Sequence, residues 1–538
     1  MASRSPAPSE GARDENTATQ STNQAPASLE NAAVAGGPVP TQPEPMLNDG
    51  QDLSRVVSAP YTVFPRSVKV GVTGMVAIAS MISPMTANIY FPALNSIAKD
   101  LDVSTSLINL TLTTYMIFQG LSPTVLGDLG DMAGRRPAYI TGFIIYIGAN
   151  VGLALQRNYA ALLVLRCLQS AGSSGTLALG FAVIADLAPR AERGKYMGYI
   201  GAAINLGPTL GPFLGGLLSQ YLGWASLFWF LAILTVAWLV PWILFVPETG
   251  RSVVGNGSFA PPRWNRTLMD CIKHRKGSQE MPPEQRPKLR IPNPLGTLVV
   301  TFEKEMGSIL LIASMIYLCF ILVAATLSTL FKEIYGYDDL QVGLCYLPYG
   351  VGCCVTSVVQ GYFLDWNYGR IAKKVGFDMR SREKAAEFPI ETARIQPLYP
   401  PLTIGAAALI GYGWALYVET TVAVPLVLLF IIGMMIPTSF NVLNTLIVDL
   451  FPEAPATAAA ANNLVRCLFG AVATAVIDKM LKGMGRGWCF TFLALLMVAC
   501  IPWLWFIEKR GPRWRAAKAK RREMKELERT SNTHANEK

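Results

Sequence analysis

Residues 105–156 read TSLINLTLTTYMIFQGLSPTVLGDLGDMAGRRPAYITGFIIYIGANVGLALQ. An apolar run of about twenty residues, the length an α-helix needs to cross hydrocarbon, is followed by the polar stretch 127–136 and a second such run. The stretch GDLGDMAGRR holds Asp128, Asp131, Arg135 and Arg136, which cannot dissolve in lipid, so the chain turns at a surface and the two runs form an antiparallel pair. Working outward, the pattern recurs, and spans are expected at 69–91, 105–127, 137–156, 160–185, 196–219 and 225–246, then at 307–331, 341–364, 398–418, 422–447, 457–480 and 488–507. The expected fold is an all-α integral membrane protein of twelve transmembrane helices in two six-helix bundles.

Composition agrees. The 538 residues are 51% hydrophobic and 15% charged, with mean hydropathy +0.34 and net charge +10. A soluble chain carries about 25% charged residues. The charges crowd outside the spans, which divides the chain into a polar tail (1–65) too poor in large apolar side chains to order, an N-terminal bundle (66–247), a central loop (248–306), a C-terminal bundle (307–508) and a basic tail (509–538). No basic segment with a short apolar core opens the chain, so the first span is expected to direct insertion. With both termini cytoplasmic, 38 of the 46 Lys and Arg lie on the cytoplasmic side and 6 on the outer side. Positive charge is retained on the cytoplasmic face, so the basic balance is an orientation signal and nucleic acid is not an expected partner.

The halves echo one another. Asp186-Leu187-Ala188-Pro189-Arg190-Ala191 closes the fourth span and Asp449-Leu450-Phe451-Pro452-Glu453-Ala454 closes the tenth. After span two, Gly127, Asp131, Gly134 and Arg135 have looser counterparts in Gly361, Asp365, Gly369 and Arg370 after span eight. Parallel repeats of this kind build transporters.

Three motifs carry candidate chemistry. In the loop of 127–136, glycines permit tight turns, Asp131 can pair with a base or cap a helix, and Arg135 and Arg136 can hold a carboxylate, so that Gly127, Asp131, Gly134, Arg135 and Arg136 form a conformational latch. In span five, Gly198, Gly207, Gly211, Pro212, Gly215 and Gly216 place glycines four apart, a groove into which another helix can press, with Pro212 bending the axis. Two cations lie inside spans, Arg166 with Gln169 in span four and Arg466 with Asn463 in span eleven. A charge in hydrocarbon is costly, so each is a candidate for substrate binding or proton coupling. No Asp or Glu lies deep in a span, which turns the expected substrate from a cationic drug toward an acceptor-rich or anionic molecule. Tyr115, Phe118, Tyr146, Trp229, Tyr317, Tyr346 and Trp414 are candidate aromatic walls or simple packing.

The stretch 127–136 resembles the G-x-L-x-D-x-x-G-R-[RK] signature of the major facilitator superfamily, with Met132 where the family usually has a base. The span-five spacing resembles the antiporter motif of its drug:proton antiporters. Leu162, Arg166 and Gln169 resemble the L-x-x-x-R-x-x-Q-G pattern, with Ser170 in place of the glycine. Asn88 to Leu94, Pro247-Glu248-Thr249 with Arg251, and Asn462 to Cys467 resemble its fungal twelve-span branch. The resemblance covers residues 60–510. It implies a secondary active transporter that exports a small molecule (a drug, toxic compound or secondary metabolite) by alternating access with protons as counter-ion, in the plasma membrane. The alternative is a dedicated exporter of an organic acid such as citrate. A receptor that had lost transport would be expected to have lost the span-five glycines as well.

Other chemistry finds little footing. Of nine cysteines, eight lie in or at spans without C-x2-C spacing, and the two histidines lie in polar segments, so neither a metal nor another cofactor is expected. No G-x4-G-K-[ST] stretch is present, so ATP is not an expected partner. The sequons at Asn256 and Asn265 fall in the cytoplasmic loop and are expected to stay unmodified. The basic run from Lys509 to Arg529 suits anionic lipid. No nucleophile and base cluster at one face, so the chain is not expected to be an enzyme.

Overall fold

The computed structural model describes residues 61–262, 265–267, 304–375, 389–450 and 455–536. The expected polar tail up to residue 60 and much of the central loop lie outside these. Among the described residues there is no strand. The helices are α1 (Arg66–Ile89), α2 (Leu94–Asp100), α3 (Thr105–Met132), α4 (Arg135–Leu155), α5 (Tyr159–Leu187), α6 (Arg190–Leu222), α7 (Ala225–Phe245) and α8 (Arg251–Val254). They continue with α9 (Lys304–Tyr335), α10 (Asp339–Val375), α11 (Ile390–Ile395), α12 (Tyr399–Tyr417), α13 (Ala423–Leu450) and α14 (Pro455–Asn536). α14 is two segments in one, broken at Gly485, whose φ of 76° and ψ of 164° are not helical.

Eight helices among the described residues are long and apolar enough to cross a membrane. α3, α6 and α12 fall short on apolarity. In α6 the reason is visible in the sequence: glycine, proline and polar residues replace large apolar ones because the helix packs against protein on two sides. The outward faces elsewhere are aliphatic, as at Val164 (61% exposed) and Ile233 (65%), a belt that suits lipid and not water.

Helix limits follow local chemistry. Ser104 accepts from the Leu107 amide to start α3, and Asn158 accepts from that of Ala160 to start α5. Pro189, from the repeated Asp-Leu-x-Pro element, separates α5 from α6; its counterpart Pro452 lies outside the described residues. The polar stretch 127–136 is less of a loop than expected. α3 runs on through Met132, and only Ala133 and Gly134 separate it from α4, with Gly134 at a φ of +111° that favours glycine.

Asp131, Asp186 and Asp449 mark one end of the bundle, here the base, and Asp339 and Asp478 mark the other, the apex. The two halves meet at the apex and in the middle. α6 and α10 approach so closely that a Cβ on Gly216 would lie 2.4 Å from the Asp339 carbonyl oxygen, and one on Gly350 would lie 2.5 Å from the Thr209 Cα. α3 meets α14 where Thr113 bonds to Ala471 and Thr474 and where Gly120 packs on Leu464 and Cys467. Toward the base the same four helices part. Gly127, Gly198, Gly201 and Gly361 have nothing within 4 Å of a Cβ placed on them. Among the described residues the halves therefore form a cleft closed at the apex and open toward the base.

Candidate functional site: a central cavity and the basal ion pairs

At the closed end of this cleft lies a cavity lined by both halves, enclosing about 1090 Å³ of empty space, part of it continuous with solvent. α1 contributes Asn88, the turn after it Phe91, α3 Tyr115 and Gln119, α6 Asn205, α9 Tyr317 and Phe320, α13 Phe440 and Asn441, and α14 Arg466. Arg466 donates to Asn463 Oδ1 at 2.5 Å and lies over the rings of Tyr317 (4.8 Å) and Phe440 (5.4 Å). Asn463 in turn donates to the Gln119 carbonyl at 2.9 Å, tying the cation's support to the other half.

Arg166 is placed differently. It is fully buried, donates to Gln169 Oε1 at 2.6 Å, and is sandwiched between the rings of Tyr90 (4.2 Å) and Tyr115 (4.3 Å). Gln169 donates onward to Asn150 at 2.7 Å. Arg166 is not among the residues lining the cavity; Tyr115, which is, carries the Arg166 guanidinium against its ring. The two cations are thus not equivalent flanks of one site. Among the described residues no carboxylate lies within ion-pair distance of either. Of the candidate aromatic walls, Tyr115 and Tyr317 line the cavity, Tyr146 and Tyr346 are buried elsewhere in the core, and Phe118, Trp229 and Trp414 are exposed on the outer surface.

The glycines of α6 divide by partner. A Cβ on Gly207, Gly211 or Gly215 would meet α1, at Pro84, Ile89 N and Ile89 O respectively, the last at 2.1 Å. Gly216 faces α10, and a Cβ on Gly343 of α10 would lie 2.8 Å from the Pro212 carbonyl, the neighbourhood in which proline opens the helix. Gly198 touches neither helix.

The base of the N-terminal half is an ion-pair network. Arg135 pairs with Asp186 (2.9 Å) and with Asp131 (2.6 Å). Glu248, 1% exposed, accepts from the amides of Arg135 (2.8 Å), Arg136 (3.1 Å), Thr249 (2.9 Å) and Gly250 (2.7 Å) and from Asn265 Nδ2 (2.7 Å). A carboxylate there satisfies the orphan donors at the start of α4 and complements its dipole. A Cβ at position 134 would lie 2.4 Å from Glu248 Oε2, a second reason for glycine. Arg136 donates to the Ile243 carbonyl and to Asn265, and Arg251 to the Asp186 and Tyr61 carbonyls.

The C-terminal half repeats this with a different residue. Asp449, counterpart of Asp186, pairs with Arg394 at 2.9 Å, and Glu508 accepts from Tyr399 at 2.8 Å where α12 begins. Arg370, matched to Arg135 by spacing, instead lies over Trp366 at 5.6 Å. The insert after α10 moves the arginine that precedes the third long helix of this half to position 394. Sequence spacing alone missed that exchange, and it missed Asp339, Phe320, Phe440 and Asn441.

Comparison with known proteins agrees with this architecture. The profile described as Major Facilitator Superfamily matches residues 76–474. The chain is 43% identical over 484 residues to the MFS-type transporter phiD of Fungal sp. (strain ATCC 74256), covering 89% of this chain and 73% of that one. It is 35% identical over 488 residues to Citrate exporter 1 of Aspergillus niger, covering 89% and 92%. Among solved structures, a D-xylose-proton symporter superposes with a TM-score of 0.60 at 16% identity, over 81% of this chain and 97% of that one. A repeated pair of helical halves around a central cavity, an ion-paired base and these matches lead to one conclusion: the chain belongs to the major facilitator superfamily and is a multi-pass membrane transporter of small molecules, not an enzyme.

Proposed function

We propose that this transporter exports its substrate by alternating access, the two halves rocking about the central cavity, with a proton as counter-ion. In this reading α3, α6, α12 and both segments of α14 also cross the bilayer, giving twelve spans, and the base with both termini is cytoplasmic, in the plasma membrane. The observation that carries it is the cleft: closed at the apex by contacts between the halves and open at the base, it presents the cavity to one side only. A cavity open to the cytoplasm is where an exporter collects its cargo. The ion pairs of Arg135 with Asp131 and Asp186 lie within the N-terminal half and are made with the base open; in this reading they hold the latch ready for the opposite state, when the basal ends of α3 and α14 come together, and Gly198 then gives α6 room to approach α10. Arg166 with Gln169, and Arg466 with Asn463, serve substrate binding or proton coupling. The cargo is a drug, toxic compound or secondary metabolite; the absence of any carboxylate among the lining residues, and the likeness to a protein named as a citrate exporter, favour an organic acid as the second reading.

The test is a pair of spin labels at positions 198 and 361, one on each half, where an added side chain meets nothing within 4 Å. Two interconverting distances, the shorter gaining population in a variant or condition that opens the apex, support alternation. A single invariant distance contradicts it.

A further inference from the structure

We infer that the central cavity is built for an amphipathic organic monoanion: one acidic head at Arg466 on a mainly apolar, flat body. The inference rests on the transporter reading above and narrows its cargo. Arg466 is the one charged side chain among the residues that line the cavity, and Asn463, not an acid, orients it. Its Nε is buried without a hydrogen-bond partner. A planar guanidinium fork matches a carboxylate, and the match strengthens where water is thin. Tyr317 and Phe440, whose rings the guanidinium overlies, continue as a wall into Phe320, which stacks on Tyr349 behind it at 5.1 Å. Such a wall rewards an apolar or aromatic body and gives nothing to a second or third carboxylate.

Charge therefore sorts the alternatives. A permanently cationic amphiphile would bring its charge to the only cation present with no carboxylate to receive it, and repulsion would exclude it. A tricarboxylate would leave two charges with only neutral amides and aromatic rings around them and no second cation in the lining, Arg166 being held behind Tyr115. A neutral aromatic molecule would fit the walls but leave Arg466 unanswered. The amide side chains of Gln119 and Asn441 on the same surface can take a carbonyl or hydroxyl on the body.

The experiment uses the full chain in nanodiscs and four matched probes: 2-naphthoate, 2-naphthamide, a naphthylmethyl-trimethylammonium salt and citrate. Binding is followed by equilibrium competition and flux by proteoliposome assay. The inference predicts that naphthoate binds about tenfold or more tighter than naphthamide, the scale of one charge-assisted hydrogen bond, and that the ammonium and citrate compete poorly. Arg466→Gln should erase the naphthoate preference while naphthamide binding stays within about twofold. Arg466→Lys, keeping charge but not the fork, should restore part of it. Tighter binding of citrate or of the ammonium, failure of all four probes to bind, or an unchanged naphthoate preference in Arg466→Gln overturns the inference. Arg466-dependent naphthoate binding without flux upholds the site and overturns the export reading instead.

Discussion

Ser96, beside the N-terminal half, donates to the Asp339 carboxylate of the C-terminal half at 2.7 Å. Ser219 donates to the same carboxylate, Lys332 pairs with it, and the Asp339 amide donates to Gln220 Oε1 at 3.3 Å. One nearly buried acid at the start of α10 thus gathers both halves at the apex, and any opening there must break its bonds to Ser96, Ser219 and Gln220. Asp339→Asn keeps the shape and removes the charge. The hydroxyls of Ser96 and Ser219, which reach the carboxylate from the other half, would then donate to a neutral amide oxygen and lose the charge-assisted part of their bonds, so the closed apex should lose population. The measurement is maleimide labelling of Thr329→Cys, a position bonded to Asn95 at the same seam: Asp339→Asn should accelerate it several-fold.

The glycines of α6 should not be equally sensitive. Gly215→Ala would force a Cβ to 2.1 Å from the Ile89 carbonyl oxygen, and overpacking of this kind typically costs about 1–3 kcal/mol. Its melting temperature in detergent should fall, whereas Gly198→Ala, with open space around it, should melt like the parent and slow transport by hindering closure of the base.

Glu248 should be a structural cap whose loss is felt across the base. Glu248→Ala strands the amides of Arg135, Arg136 and Gly250 and should cost about 2 kcal/mol or more. Hydrogen exchange should show α4 fraying at its first turn, with α12 unaffected.

Glu391 supplies a pH dependence. It is fully buried on α11, outside the spans, where burial pushes its carboxyl above the usual range and Arg515, at 3.2 Å, partly offsets this. A raised carboxyl favours the docked fold while protonated, and that contribution is lost as pH rises through its folded value. Glu391→Gln should therefore be more stable than the parent at neutral pH, with the difference vanishing in acid. Melting curves across that window decide it.

Much of this was legible in the sequence, for physical reasons. Lipid demands long apolar runs, so eight of the long helices stood out, while α3, α6 and α12 fall short on apolarity; the groove glycines could be read because their spacing of four follows the helical repeat. Arg166 and Arg466 were visible as charges in hydrocarbon. What they face was not: both are called alike by sequence, yet one is walled off by Tyr115 and the other lines the cavity, a distinction set by how α3 rotates against α5. Arg394 was hidden because an insertion broke the spacing that pointed to Arg370. Phe320 and Phe440 were hidden because an aromatic residue in a span looks the same whether it faces cavity, core or lipid.

Export driven by a proton gradient is read out by flux in proteoliposomes. With the basal side exposed to the medium and the lumen made acidic, a mixed panel of aromatic acids and neutral aromatic compounds is supplied outside. The account predicts that at least one is accumulated in the lumen above its outside concentration, that an ionophore collapsing the gradient abolishes accumulation, and that Arg466→Gln reduces it. Accumulation that is the same with and without the gradient would contradict the proton-coupled mechanism.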